Sequence, residues 1–240
     1  MMIESERHEI FVRAHTVVAR KGNRQRPLPA KWPNRVLVFD TETTTDAAQK
    51  LTFGCYRLCQ LGPAGYRCAD EGLLYSDDLN TQHRKIIDRY IHDSRNIPVV
   101  EVKMFPPRMQ LNLLSRSAFV ERVFWKEIRK GTMVVGFNLP FDISRLAVKA
   151  CEADKGGWSL VLSLRKSRKT GEMEPNPERP RVVINSQNSK IAFIGLSSIR
   201  HREEWPNEGR FLDLRTLGWA LRDKAFNLER RANNSVSQEK

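Results

Sequence analysis

Apolar positions in this chain fall into short dense runs separated by turn-forming residues, with two longer stretches at helical spacing. Val36-Leu37-Val38-Phe39, preceded by Pro33-Asn34, is an unbroken apolar and β-branched run that predicts a strand buried on both faces. Leu51 to Leu61 and Tyr66 to Tyr75 predict two more strands, joined at the turn-rich Gly62-Pro63-Ala64-Gly65. The three form an antiparallel meander. Thr81 to Ile91 and Ser117 to Ile128 predict helices. Ile86, Ile87, Tyr90 and Ile91 of the first, and Phe119, Val120, Val123, Phe124 and Ile128 of the second, are expected to face a core. Met133-Val134-Val135-Gly136 reads as a further short strand. It leads into a helix with Phe141, Ile143 and Leu146 turned inward and Pro140 in the first turn, where its missing N–H costs nothing.

The pattern changes between Trp158 and Ser198. Leu160-Val161-Leu162 and Arg181-Val182-Val183-Ile184 flank a basic loop, Arg165-Lys166-Ser167-Arg168-Lys169-Thr170-Gly171-Glu172, and Ile191-Ala192-Phe193-Ile194 follows a polar turn. This predicts an inserted β-hairpin or small sheet spanning 156–198. The expected organisation is a basic, Pro-punctuated extension over 1–34, one domain over 35–232 and a polar tail over 233–240.

The chemistry begins where the first strand ends. Side chains alternate along a strand, so Asp40 and Glu42 point to one side and Thr41 to the other. Two carboxylates at that range repel unless a cation lies between them, and hard oxygen ligands suit Mg²⁺ or Mn²⁺. The alternative is a solvated acidic turn. Asp142 is expected in the first turn of the helix after the second short strand, where the helix dipole favours a carboxylate.

The two segments together resemble the DEDD superfamily of 3′–5′ exonucleases. Val38-Phe39-Asp40-Thr41-Glu42-Thr43 matches that family's apolar-apolar-Asp-x-Glu-Thr motif. Gly136-Phe137-Asn138-Leu139-Pro140-Phe141-Asp142 matches Gly-His-Asn-x-x-Phe-Asp, with Phe137 in place of the usual His. Phe211-Leu212-Asp213-Leu214-Arg215-Thr216-Leu217 with Asn227-Leu228-Glu229 is similar to the segment between the second and third motifs in proofreading exonucleases and family B polymerases. The resemblance covers about Arg35 to Ala232. It implies an α/β, ribonuclease H-like mixed sheet, the meander plus parallel strands, flanked by helices and carrying the β insertion. It also implies two divalent ions held by Asp40, Glu42 and Asp142 for phosphodiester hydrolysis, and single-stranded or frayed DNA as substrate in preference to RNA. A polymerase domain, fused or separate, is an implied partner.

The third motif, His-x(4)-Asp or Tyr-x(3)-Asp, is missing. Every tyrosine precedes Asp142, and the fifth residue beyond His201 is Pro206. The chain thus resembles an exonuclease domain that stops near the start of the third-motif helix. Asp213 is expected to cap a helix near Thr216 and not to replace the absent ligand. Substrate contacts are expected from Thr43 (hydroxyl), Asn138 (sugar), Phe141, and Arg165, Lys166, Arg168 and Lys169 (phosphate backbone). For Thr43 a structural bond, for Asn138 a helix cap and for the basic loop plain solvation remain open.

Composition narrows the class. The chain has 240 residues, 40% hydrophobic and 29% charged, enough for one sizeable α/β core. Its formal charge of +13 favours a polyanionic partner, with the 165–169 loop and the 20–26 segment as basic flanks of the carboxylates. No run approaches the roughly 18 apolar residues that span a bilayer. Glu4, Glu6 and Glu9 interrupt any signal-peptide core. Cys55, Cys59, Cys68 and Cys151 lack metal-ligand spacing and read as reduced core thiols of a cytoplasmic protein without membrane contact. Two other readings stand beside the nuclease: an inactive nucleic-acid-binding remnant of the same fold, and an acid-rich strand in an unrelated basic α/β domain.

Overall fold

The computed structural model describes residues 32–94, 111–154, 156–188, 191–197, 205 and 210–222. The 20–26 segment, Asn227-Leu228-Glu229 and the 233–240 tail lie outside them.

The meander forms as the pattern predicts. β1 (Arg35–Thr43), β2 (Leu51–Gly62) and β3 (Gly65–Tyr75) pair antiparallel, with the turn closed by Gly62 opposite Gly65. α1 (Thr81–Ser94) follows, and β4 (Asn112–Ser115) pairs parallel to β3. α2 (Arg116–Phe119), a π-helical turn (Val120–Phe124) and α3 (Trp125–Arg129) run on from one another. β5 (Met133–Gly136) then enters the sheet parallel to β1, and α4 (Leu139–Leu146) leaves it.

The second sheet is built from β6 (Lys149–Glu152), β7 (Trp158–Val161), β10 (Val182–Ser186) and β11 (Ala192–Leu196), in the order β11-β10-β7-β6. β8 (Leu164–Lys166) and β9 (Met173–Pro175) form a separate two-stranded hairpin. The added sheet is therefore larger than a hairpin, and β6 precedes residue 156. β12 (Phe211–Asp213) returns to the main sheet beside β5, parallel to it, and α5 (Leu214–Arg222) follows directly. The main sheet runs β12-β5-β1-β2-β3-β4, a mixed sheet with β1 inside it between a parallel and an antiparallel neighbour.

Among the described residues, only one face of β1 is buried. Leu37, Phe39 and Thr41 are covered, while Val38 is 40% exposed and Asp40 and Glu42 face solvent. The expected double-faced burial is thus corrected: among the described residues the helical rod packs on the Leu37–Phe39 side. That side holds the aromatic core, in which Phe39 meets Phe119 at 5.8 Å and Phe124 edge-on at 6.1 Å. All five apolar positions predicted for the second helix are buried. In α1 the expectation fails in part. Ile91 is buried, but Ile86 and Tyr90 are 60% and 58% exposed. The Arg84 guanidinium of α1 lies over the Tyr75 ring, 4.8 Å from its centroid.

Polar ties also join the rod to the rest, among them ion pairs of Glu127 with Arg35 and of Glu121 with Arg179. Arg116 donates to the carbonyls of Leu146 and Leu162, and the Trp125 indole N–H donates to Ser163 Oγ at 2.7 Å. The cysteines are all free, as expected, but none lies in the core: Cys55 is exposed and the other three are half-buried. No described helix is long and apolar enough to cross a membrane.

Candidate metal centre

Asp40 and Glu42 reach the end of β1 on its open face because the strand alternates cleanly over Leu37 to Glu42. Neighbouring backbones press close to that end. A Cβ on Gly54 of β2 would lie 2.5 Å from the Asp40 carbonyl oxygen. A Cβ on Gly136 would lie 2.9 Å from Leu139 and 3.4 Å from the Phe39 carbonyl oxygen. Absence of these two side chains lets β2, and the turn from β5 into α4, seat tightly against β1.

That turn delivers Asp142 to the opposite side of the same strand end. Pro140 sits at the start of α4, as predicted, and Asp142 is in its first turn. Asp142 Oδ1 accepts from the Thr41 backbone N–H at 3.1 Å and from the Thr41 hydroxyl at 2.8 Å. Its other oxygen, Oδ2, is buried and has no hydrogen-bond partner. The residue is only 2% exposed. Burial therefore drives its pKa up, the charges of Asp40 and Asp213 add to the rise, and the Thr41 hydrogen bonds offset part of it, leaving a value of about 6. An unpaired oxygen on a buried, acid-flanked carboxylate needs either a proton or a cation. Both satisfy it.

Asp213 is fully engaged. Its Oδ1 accepts from the Leu139 N–H at 3.0 Å, at the start of α4, and its Oδ2 accepts from the Thr216 N–H at 2.9 Å and hydroxyl at 2.6 Å, in the first turn of α5. One carboxylate caps two helices, as the Phe-Leu-Asp-Leu context suggested for α5 alone. Asn138 precedes α4 but makes no side-chain cap; its carbonyl receives the Phe141 N–H, and its amide oxygen receives a bond from Arg215 at 3.2 Å. Phe141 lies half-buried under the Arg145 guanidinium. Thr43 ends β1, half-buried. Arg165 is paired with Glu174 across the β8–β9 hairpin at 3.0 Å, while Lys166, Arg168 and Lys169 are exposed on that hairpin.

Two neighbours escaped sequence reasoning. Thr41, the middle residue of Asp-x-Glu, orients Asp142, which strand alternation could have suggested. Cys55 is the cross-strand partner of Asp40, on the open face. Burial raises its thiol pKa, and Asp40, Glu42 and Asp142 raise it further, so all three carboxylates act on one point. As the side chains stand, no three His, Cys, Asp or Glu side chains among the described residues are grouped closely enough to cage a metal. Asp40 and Glu42 lie on one side of β1 and Asp142 is tied to Thr41 on the other. The oxygen-rich donor set and the orphaned Asp142 Oδ2 nevertheless fit a hard divalent cation. Compared with known proteins, the chain matches no family model, no curated protein and no solved structure.

Proposed function

We propose that this chain is a ribonuclease H-like domain of the DEDD exonuclease type, hydrolysing phosphodiester bonds at the 3′ end of single-stranded or frayed DNA with Mg²⁺ or Mn²⁺. The observation that carries the proposal is Asp142: a buried carboxylate with one oxygen unpaired, its other oxygen held by the residue between Asp40 and Glu42. A strand order with the antiparallel meander on one side of β1 and two parallel strands on the other supports the fold assignment.

Bound divalent ions would supply water activation and leaving-oxygen stabilisation here. Asp40 and Glu42 would offer ligand oxygens from the solvent side, and Asp142 would offer Oδ2 from the helix side. Thr41 keeps the Asp142 rotamer fixed, so that Oδ2 is the free oxygen. Phe141 and Asn138, at the start of α4, would contact a base and a sugar, and the positive charge of the chain would draw the polyanion in.

A specific observation favours a second reading, a nucleic-acid-binding domain without turnover: Asp213 spends both oxygens on helix caps, and no fourth carboxylate joins the site among the described residues. The two are separated by following a 3′-labelled single strand with Mg²⁺ or Mn²⁺, beside Asp40→Ala. Stepwise shortening lost in the variant supports the nuclease. Strand binding with no shortening in either chain supports the binding domain. Neither binding nor shortening refutes both.

A further inference from the structure

The β8–β9 hairpin, the 175–181 segment and the end of β7 enclose a cavity of about 690 Å³. Three guanidinium-bearing residues line it, Arg165, Arg179 and Arg181, together with Ser163, Asn176 and three prolines. Among the described residues that line it there is no carboxylate and no aromatic ring.

The cations are held differently. Arg165 is fixed by Glu174 at 3.0 Å and Arg179 by Glu121 at 2.9 Å, both acids lying outside the lining. Those pairs fix the two forks and partly neutralise them. Arg181 is exposed, and its guanidinium donates to the Cys151 sulfur at 3.5 Å with no carboxylate partner among the described residues. Ser163 is buried, and its oxygen already accepts the Trp125 indole N–H at 2.7 Å. Its hydroxyl hydrogen has no acceptor among the described residues and is free to donate.

Such a lining selects its ligand by charge and shape. Guanidinium forks match phosphate oxygens, and a buried hydroxyl donor adds a directional bond. Walls of proline lose little freedom on binding. The described lining offers no aromatic platform on which a base could stack. We propose that this cavity docks the sugar-phosphate backbone of a nucleic-acid strand without reading its bases, Arg181 and Ser163 making the new contacts and Arg165 and Arg179 framing them. The choice of ligand rests on the nucleic-acid reading above, but the docking itself requires no hydrolysis.

The test uses the full chain in EDTA, so that turnover plays no part. Fluorescence anisotropy follows a labelled single-stranded oligodeoxynucleotide and an abasic phosphodiester strand of equal length. Arg181→Glu is compared with Arg89→Glu, which makes the same charge change on the exposed face of α1. Arg181→Glu is expected to weaken both strands about tenfold or more, and Arg181→Gln to lower the log–log salt slope by about 1. Arg89→Glu should change affinity by less than about threefold. Equal effects of the two charge reversals would overturn the proposal, as would loss of the base-containing strand with the abasic strand unaffected. Should Arg181→Glu lower the melting temperature, Arg165→Glu on the exposed hairpin carries the same expectation. Absence of Mg²⁺-dependent hydrolysis, measured separately, would count against the nuclease and leave this docking site standing.

Discussion

Replacing Asp142 by Asn removes a buried charge while keeping the acceptor that Thr41 holds. The carboxyl rises from an ordinary 3.8 to about 6 in the folded chain. At roughly 1.4 kcal/mol for each tenfold change in proton affinity, carrying the ionised form costs the native state about 3 kcal/mol. The sign follows from proton counting. Between about pH 4 and pH 6 the native carboxyl holds its proton while the unfolded one has lost it. Stability therefore falls as pH rises through that window, and the full cost is present above it. The variant lacks this slope. Its amide NH₂ replaces the orphaned Oδ2 as an unpaired donor, a cost of about 1–3 kcal/mol that does not depend on pH. Urea unfolding of both chains in EDTA from pH 4 to 8 reads the difference directly. Glu127 and Asp77 are raised by burial, but hydrogen bonds from Arg35, Lys130 and Thr132, and from Ser117 and Arg116, outweigh it and hold both below the usual carboxylate range. Their stabilisation is lost in acid equally in both chains, so it cancels. The variant should gain about 2.5 kcal/mol relative to the parent on going from pH 4 to pH 7.5, the remainder of the cost being present already at pH 4. A difference constant within about 0.5 kcal/mol would refute a buried, ionising Asp142. Mn²⁺ at a hundred times its dissociation constant should then stabilise the parent at pH 7.5 by about 2.7 kcal/mol and leave the variant unmoved.

Asp213→Ala strips caps from two helices and should cost about 2–3 kcal/mol in urea unfolding, whereas a loss under about 0.5 kcal/mol would show the caps to be idle. Gly54→Ala places a methyl 2.5 Å from the Asp40 carbonyl oxygen, backbone that cannot rotate away, so β1 must move. We expect a loss of about 1–3 kcal/mol in calorimetry, and an unchanged melting temperature would contradict the tight seating. Glu127, 3% exposed, binds Arg35 and Lys130 at 2.8 Å and Thr132 at 2.9 Å. Glu127→Gln should therefore destabilise by roughly 2–4 kcal/mol, and a neutral result would mean that desolvation cancels these bonds.

Much of the architecture was legible because it is local. The Gly62-Pro63-Ala64-Gly65 turn between two apolar runs determines the β2–β3 hairpin, and the Phe119 to Ile128 spacing determines a helix with a buried face. The position of Asp142 in a first helical turn was equally readable, because Gly136, Asn138 and Pro140 mark strand end and helix start. Strand parity likewise placed Asp40 and Glu42 on one side. Sequence periodicity does not say which faces find a partner. The run Val36 to Phe39 reads as doubly buried, yet one of its faces stays open among the described residues, and Ile86 and Tyr90 keep helical spacing without a core to meet. Register was also out of reach. Cys55 lies beside Asp40 only because β1 and β2 pair in that register, and no composition rule distinguishes an exposed thiol from a core one. The decisive contact, Thr41 with Asp142, joins residues 101 positions apart. It exists because β5 enters parallel to β1 and two glycines let the backbones close. The proton affinity of Asp142 depends on burial and on carboxylates brought near by those pairings. It is a property of the tertiary structure, and the sequence alone could mark the residue but not its charge.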